Sequence, residues 1–243
     1  AVTAEERMKL EVKEGNAAAQ DAVYEMVAMK AYINMMILDN WGLVFKKNAA
    51  NEKSEILRGQ EAISYLEKEL LSVRDVIKSD KGAGRLNQFS VKALLARLYL
   101  NAAVYRDPYG TPTFKKEDMD NVIKYTNEIV AGPYALSPEY FDIFSDNNST
   151  NRELIFAMDQ RGVLQTEHQR WQYWSISGDQ VPRPEFPNTR GTDAAAMTTD
   201  FYQTWVDAYG AVDPAVADAR FSMKQTMVPA NLQNLRRCEV FPN

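Results

Sequence analysis

GRLNQFSVKALLARLYLNAAVYR, residues 84–106, is the stretch whose reading decides the fold. Its apolar residues Val91, Leu94, Leu95, Leu98, Tyr99 and Ala102 fall at i, i+3, i+4, i+7, i+8 and i+11, which places them on one face of an α-helix. That face must be buried. Ala93, Ala96, Ala102 and Ala103 are small enough for neighbouring helices to approach closely, and Lys92, Arg97 and Asn101 supply the polar side. The segment reads as a central packing helix, without the residue types of a catalytic one.

Working outward, Ile56, Ile63, Leu66, Leu70, Val73 and Ile77 predict a second long amphipathic helix from about Ser54, with Glu61, Glu67, Lys68, Arg74 and Lys78 on its solvated face. SDKGAGR, residues 79–85, is a turn by composition, so residues 54–106 form a helical hairpin. Upstream, residues 17–40 hold no Gly or Pro and many Ala and Met, a composition with high helix propensity. The Met26, Met29, Met35 and Met36 face is read as core filling, in preference to a peptide groove. Downstream, a loop at RDPYGTPT precedes a helix from about Lys116 to Ala131, with Met119, Val122, Ile123, Thr126, Ile129 and Val130 on its expected buried face. Gly132, expected to take a left-handed cap, and Pro133 stop it. Two consecutive helical hairpins predict a mainly α, tetratricopeptide-like stack, although the full repeat consensus is not met.

The inventory excludes several classes of function. The chain carries 28 basic and 33 acidic residues, net −5, with the positive charges scattered. Nucleic acid would demand a basic stripe to displace counterions, so no nucleic-acid partner is expected. One cysteine, Cys238, and one histidine, His168, leave no disulfide framework and argue against a zinc site or a histidine-based triad. No apolar run approaches the length of a membrane span, the charged N-terminal residues resemble no signal peptide, and no cofactor is expected.

Beyond the helices, YALSPEYFDIF (134–144) is read as short and irregular or helical. Asp146, Asn148 and Thr150 alternate as calcium ligands would, but Asn151 and Ala157 stand where an EF-hand needs Gly and Glu, which excludes that motif. ELIFAM (153–158) is compatible with a buried strand or extended segment. Residues 161–193 show no helical period; this is a long loop whose aromatics argue against disorder. A short helix is expected at 197–208, with Thr198 or Thr199 at its cap and Phe201, Tyr202, Trp205 and Val206 available for packing.

The order of these segments resembles the SusD/RagB family of Bacteroidetes. MKAYINMMILDNWG (29–42) is similar to the family helix that ends in an aromatic and Gly, and residues 84–105 to its Gly-Arg turn and Ala/Leu helix. NVIKYTNEIVAGPYALSPEYFDIF (121–144), RELIF (152–156) and FYQTWVDAYGAVDPAVADARFS (201–222) resemble three further segments in the family's order. Departures are Lys30 for the usual Arg, Leu43 to Phe45 for Asp-Val-Pro, and Asp218-Ala219-Arg220 for Asp-Pro-Arg. Family members are longer and carry a lipidated N-terminal Cys, so the resemblance implies a partial chain, with 1–160 as helical scaffold and 161–243 as a loop-rich ligand-binding region of the same domain.

The resemblance further implies a non-catalytic binder on the outer face of the outer membrane, lipid-anchored in the parent protein. It would deliver oligosaccharides, or peptides, to a SusC-like TonB-dependent transporter. Sugar rings need flat aromatic faces with polar groups at their edges. Trp171, Tyr173 and Trp174 are the expected stacking residues and Gln172, Asp179 and Arg183 the hydroxyl partners, a placement drawn from position in the chain. Trp41 and Trp205 are assigned to structure. The alternative is a helical-repeat scaffold for a protein partner. A glycoside hydrolase ranks below both, since it requires two carboxylates about 5–9.5 Å apart, and Glu117 and Asp118 are explained equally well by a helix start.

Overall fold

The structure, a computed structural model, describes residues 1–144, 148–158 and 198–212. The chain divides into two compact units, Ala1–Met158 and Asp159–Asn243. The first is mainly helical: α1 (Val2–Lys13), a 3₁₀ turn (Ala17–Ala19), α2 (Gln20–Trp41), β1 (Leu43–Lys46), β2 (Glu55–Arg58), α3 (Gly59–Val73), α4 (Gln88–Arg106) and α5 (Lys116–Val130). Each helix packs against the next in sequence, the arrangement of a tetratricopeptide-like stack. No helix among the described residues is long and apolar enough to cross a membrane.

The core is centred on α4, whose Val91, Leu94, Leu95, Leu98, Tyr99 and Ala102 are all buried, as the spacing predicts. They meet Ala28, Ala31, Met35 and Leu38 of α2 and Ala62, Ile63, Leu66 and Leu70 of α3. Asn87 starts α4: its side chain accepts from the Ser90 amide at 2.9 Å, and Ser90 Oγ accepts from the Asn87 amide at 3.3 Å. Two otherwise unpaired donors of the first turn are thereby satisfied. α2 ends at Gly42, whose φ of +65° a glycine adopts freely. Of the methionine face, Met35 fills the core and Met36 is exposed.

The second helix does not begin at Ser54. Residues 43–46 and 55–58 pair as an antiparallel hairpin with Val44 opposite Leu57 and Phe45 opposite Ile56. Val44 and Leu57 point into the core, which leaves Ile56 exposed on the outer face. Four-residue strands are too short for alternation to announce them. The Asn34 side chain pins the hairpin, accepting from the Phe45 amide at 2.9 Å and donating to the Phe45 carbonyl at 3.2 Å. Helix α3 then stops at Val73, and Ile77 is buried from the turn that follows.

α5 buries only part of the expected face, Ile129 itself and Val122 against the core, and is otherwise rotated. Asp118, Tyr125 and Ile129 are buried, while Ile123 is 59% and Val130 71% exposed. Specific partners on α4 select this rotation: Arg106 pairs with Asp118 at 2.6 Å, Lys92 with Glu128 at 3.0 Å, and Tyr125 stacks on Tyr99 with ring centroids 6.1 Å apart. Gly132 is not left-handed, because the positive-φ glycines of the described residues are Gly15, Gly42 and Gly59. Glycine is required at 132 by proximity, since a Cβ there would sit 2.4 Å from Phe89 Cε1. Residues 151–158 form turns and half-buried irregular chain instead of a strand.

In the second unit, α6 (Thr199–Tyr209) is capped by Thr198, whose hydroxyl accepts from the Phe201 amide at 3.3 Å. Trp205 on it is half-buried.

Candidate functional site

The stretch that precedes the aromatic segment in the chain is fastened to the helical unit at several points. Arg152 donates through Nε and Nη2 to the Pro133 carbonyl at 2.9 and 2.8 Å, and the Ala135 amide donates to the Arg152 carbonyl at 3.2 Å. Glu153 accepts from the Ser137 amide at 2.8 Å. The Ala157 amide donates to the Ala83 carbonyl at 2.8 Å, and Phe156 packs edge-on against Tyr32 of α2 with centroids 5.4 Å apart. The RELIF segment is therefore a seam joining α2, the turn before α4 and the turn after α5. The chain reaches Met158 from a fixed position.

A second built feature is the Gly-Arg turn. Glu25 of α2 is buried, and its carboxylate accepts from Arg85 Nε at 2.7 Å, from the Leu86 amide at 3.1 Å and from Lys81 at 3.4 Å. Burial alone would raise the Glu25 pKa, but Arg85 and Lys81 more than compensate and hold it below the usual carboxylate range. Arg85 thus ties α2 to the entry of α4. Asn87 adds a bond to the Lys81 carbonyl at 3.0 Å and another to the Tyr134 hydroxyl at 3.3 Å. The departure Lys30 is likewise structural: it lies buried between Glu5, at 3.0 Å, and Glu69, at 2.7 Å.

These clusters tie the helices together, and none of their carboxyls is set up as a general acid. A general acid at neutral pH needs a raised carboxyl pKa, whereas Glu5, Asp21, Glu25 and Asp75 are all lowered. Asp39 is engaged by Arg97 and by the Tyr105 hydroxyl. Among the described residues no group of three or more His, Cys, Asp or Glu side chains is arranged to hold a metal ion. Asp146, from the calcium test, lies outside the described residues.

So do all six expected sugar contacts, Trp171, Gln172, Tyr173, Trp174, Asp179 and Arg183, and the histidine His168. Trp41, assigned to structure, is 63% exposed at the end of α2. The sequence reading missed the clamp formed by Arg85 on Glu25 and the cap formed by Asn87. The second had a visible signal, an Asn three residues before a Ser at the head of an apolar-periodic run. The first joins residues 60 positions apart and had none.

Fold and clusters together define a helical, tetratricopeptide-like scaffold, and the segments that carry the family resemblance serve as its joints. No family model matches the chain. Its sequence is similar to that of "Starch-binding protein SusD" from Bacteroides thetaiotaomicron, 26% identical over 195 residues, which cover 75% of this chain and 34% of that relative. Its fold is similar to a crystal structure solved with xylogluco-oligosaccharide, with TM-score 0.62 and 19% identity over 74% of this chain and 38% of the other. The chain spans little more than a third of the length of either. The resemblance to the SusD/RagB family read from the ordered segments, and the helical fold expected with it, are borne out.

Proposed function

We propose that this chain is part of a non-catalytic cell-surface protein that binds oligosaccharides and passes them to a SusC-like TonB-dependent transporter in the outer membrane. The observation that carries the reading is the alignment with a starch-binding protein over three quarters of the chain. The fold shared with a protein solved with xylogluco-oligosaccharide supports it. In this reading a lipid anchor tethers the parent protein to the outer leaflet, and the helical unit serves as scaffold. The ligand contacts are Trp171, Tyr173 and Trp174 by stacking on sugar rings, with Gln172, Asp179 and Arg183 holding hydroxyl groups.

The test is affinity-gel electrophoresis against starch, xyloglucan and other polysaccharides, followed by calorimetry on oligosaccharides that retard the protein. Wild type should bind with Kd on the order of 1 μM to 1 mM. Trp171→Ala and Trp174→Ala should each weaken binding without lowering Tm. Unchanged affinity in both variants would remove the site assignment, and no retardation by any glycan would remove the carbohydrate reading.

A further inference from the structure

We propose that α1 is a conditional element, clipped to the helical scaffold by one buried cluster of charges and released in acid while the apolar core of α2, α3 and α4 remains folded. Glu5 is the buried residue of α1, at 6% exposure, and the helix contributes no fully buried apolar side chain; Val2, Met8 and Val12 are half-buried and Leu10 faces solvent. The carboxylate of Glu5 reaches Lys30 Nζ of α2 at 3.0 Å, and the same ammonium meets Glu69 of α3 at 2.7 Å. Lys9, one turn along α1, is the second cation on Glu5. The remaining titratable neighbour is Tyr65 of α3, whose hydroxyl is buried with no hydrogen-bond partner among the described residues. A weaker tie is the Ala50 amide, which donates to Glu6 at 3.1 Å.

The core helices are held differently, by the apolar layer of α2, α3 and α4. Protonation therefore acts on the two parts unequally. Burial pulls the Glu5 pKa upward, Lys9 and Lys30 pull it down by more, and the folded value lies below the ordinary one. The clip is then complete above the usual carboxylate range and is lost as pH falls through the lower folded value. Neutral Glu5 keeps no ion pair with α2, and Lys30 turns to Glu69 alone.

Hydrogen exchange followed by mass spectrometry on the whole chain, corrected for intrinsic rates, tests this from neutral pH down to about pH 3. Amides of α1 should lose protection at a higher pH than those of α4. At neutral pH, Glu5→Gln should speed α1 exchange by on the order of tenfold and leave α4 unchanged. Glu25→Gln should loosen residues 78–87 and spare α1. Should Glu5→Gln lower the folded yield, the wild-type titration alone decides. Loss of α1 and α4 protection at the same pH, or α1 protection indifferent to Glu5→Gln in a folded variant, would overturn the proposal.

Discussion

Gly132 carries a packing requirement that its sequence context disguises as a helix stop. A methyl group at this position would collide with the Phe89 ring, which itself packs edge-on against Tyr134 at 5.3 Å and lies beneath Lys92. Gly132→Ala should therefore cost about 1–3 kcal/mol, the usual range for overpacking, read as a lower denaturation midpoint. Combining it with Phe89→Ala should give a loss smaller than the sum of the single losses, because the second change removes the colliding ring. Additive losses would mean that the clash is not the cause. Motif reading took Gly-Pro as a cap because that pair stops helices in most contexts. The neighbour that matters is 43 positions away.

At the scale of elements, α4 has two separable determinants, its cap and its buried face. Asn87→Ala removes the acceptor for the Ser90 amide and the bonds to Lys81 and Tyr134, and should cost about 1–2 kcal/mol. Leu95→Ala or Leu98→Ala empties fully buried volume and should cost about 2–5 kcal/mol. Leu100→Ala, on the exposed side of the same helix, should stay within about 0.5 kcal/mol. Urea titrations of the three classes check this order, and a Leu100→Ala cost equal to that of Leu95→Ala would contradict the face assignment. None of these changes should alter ligand preference. Helix α4 was legible because its apolar spacing is long and regular. The face of α5 was not, because Ile123 and Val130 fit the period as well as Tyr125 does, and only the ion pairs and the Tyr99–Tyr125 stack on α4 decide between them.

For the molecule as a whole, charge sets the pH range of stability. The Glu5, Asp21, Glu25 and Asp75 carboxylates have folded pKa values below their ordinary ones; burial opposes this at all four, most strongly at the first three, and their cationic partners outweigh it. Their stabilisation is complete above the unfolded values, near pH 4, and declines as pH falls through the folded ones. Tyr99 and Tyr105 are shifted the other way, first by burial and then by their bonds to Glu67 and Asp39. They stabilise the fold below about pH 10 and cease to do so as pH rises further. Thermal melts across pH should show a plateau between these limits with a fall on each side. A maximum confined to acid would refute the ion-pair account.

Sequence by itself determined the helical class, the central position of α4, the order of segments that resembles the SusD/RagB family, and a short helix capped at Thr198 or Thr199. Those features are written in local spacing, in turn residues and in their order along the chain. Tertiary structure alone decided the Arg85–Glu25 clamp, the Lys30 cluster, the short hairpin held by Asn34 and the rotation of α5. Each depends on partners distant in sequence, and the energy that selects them exists only once the chain has brought those partners within hydrogen-bond or contact distance.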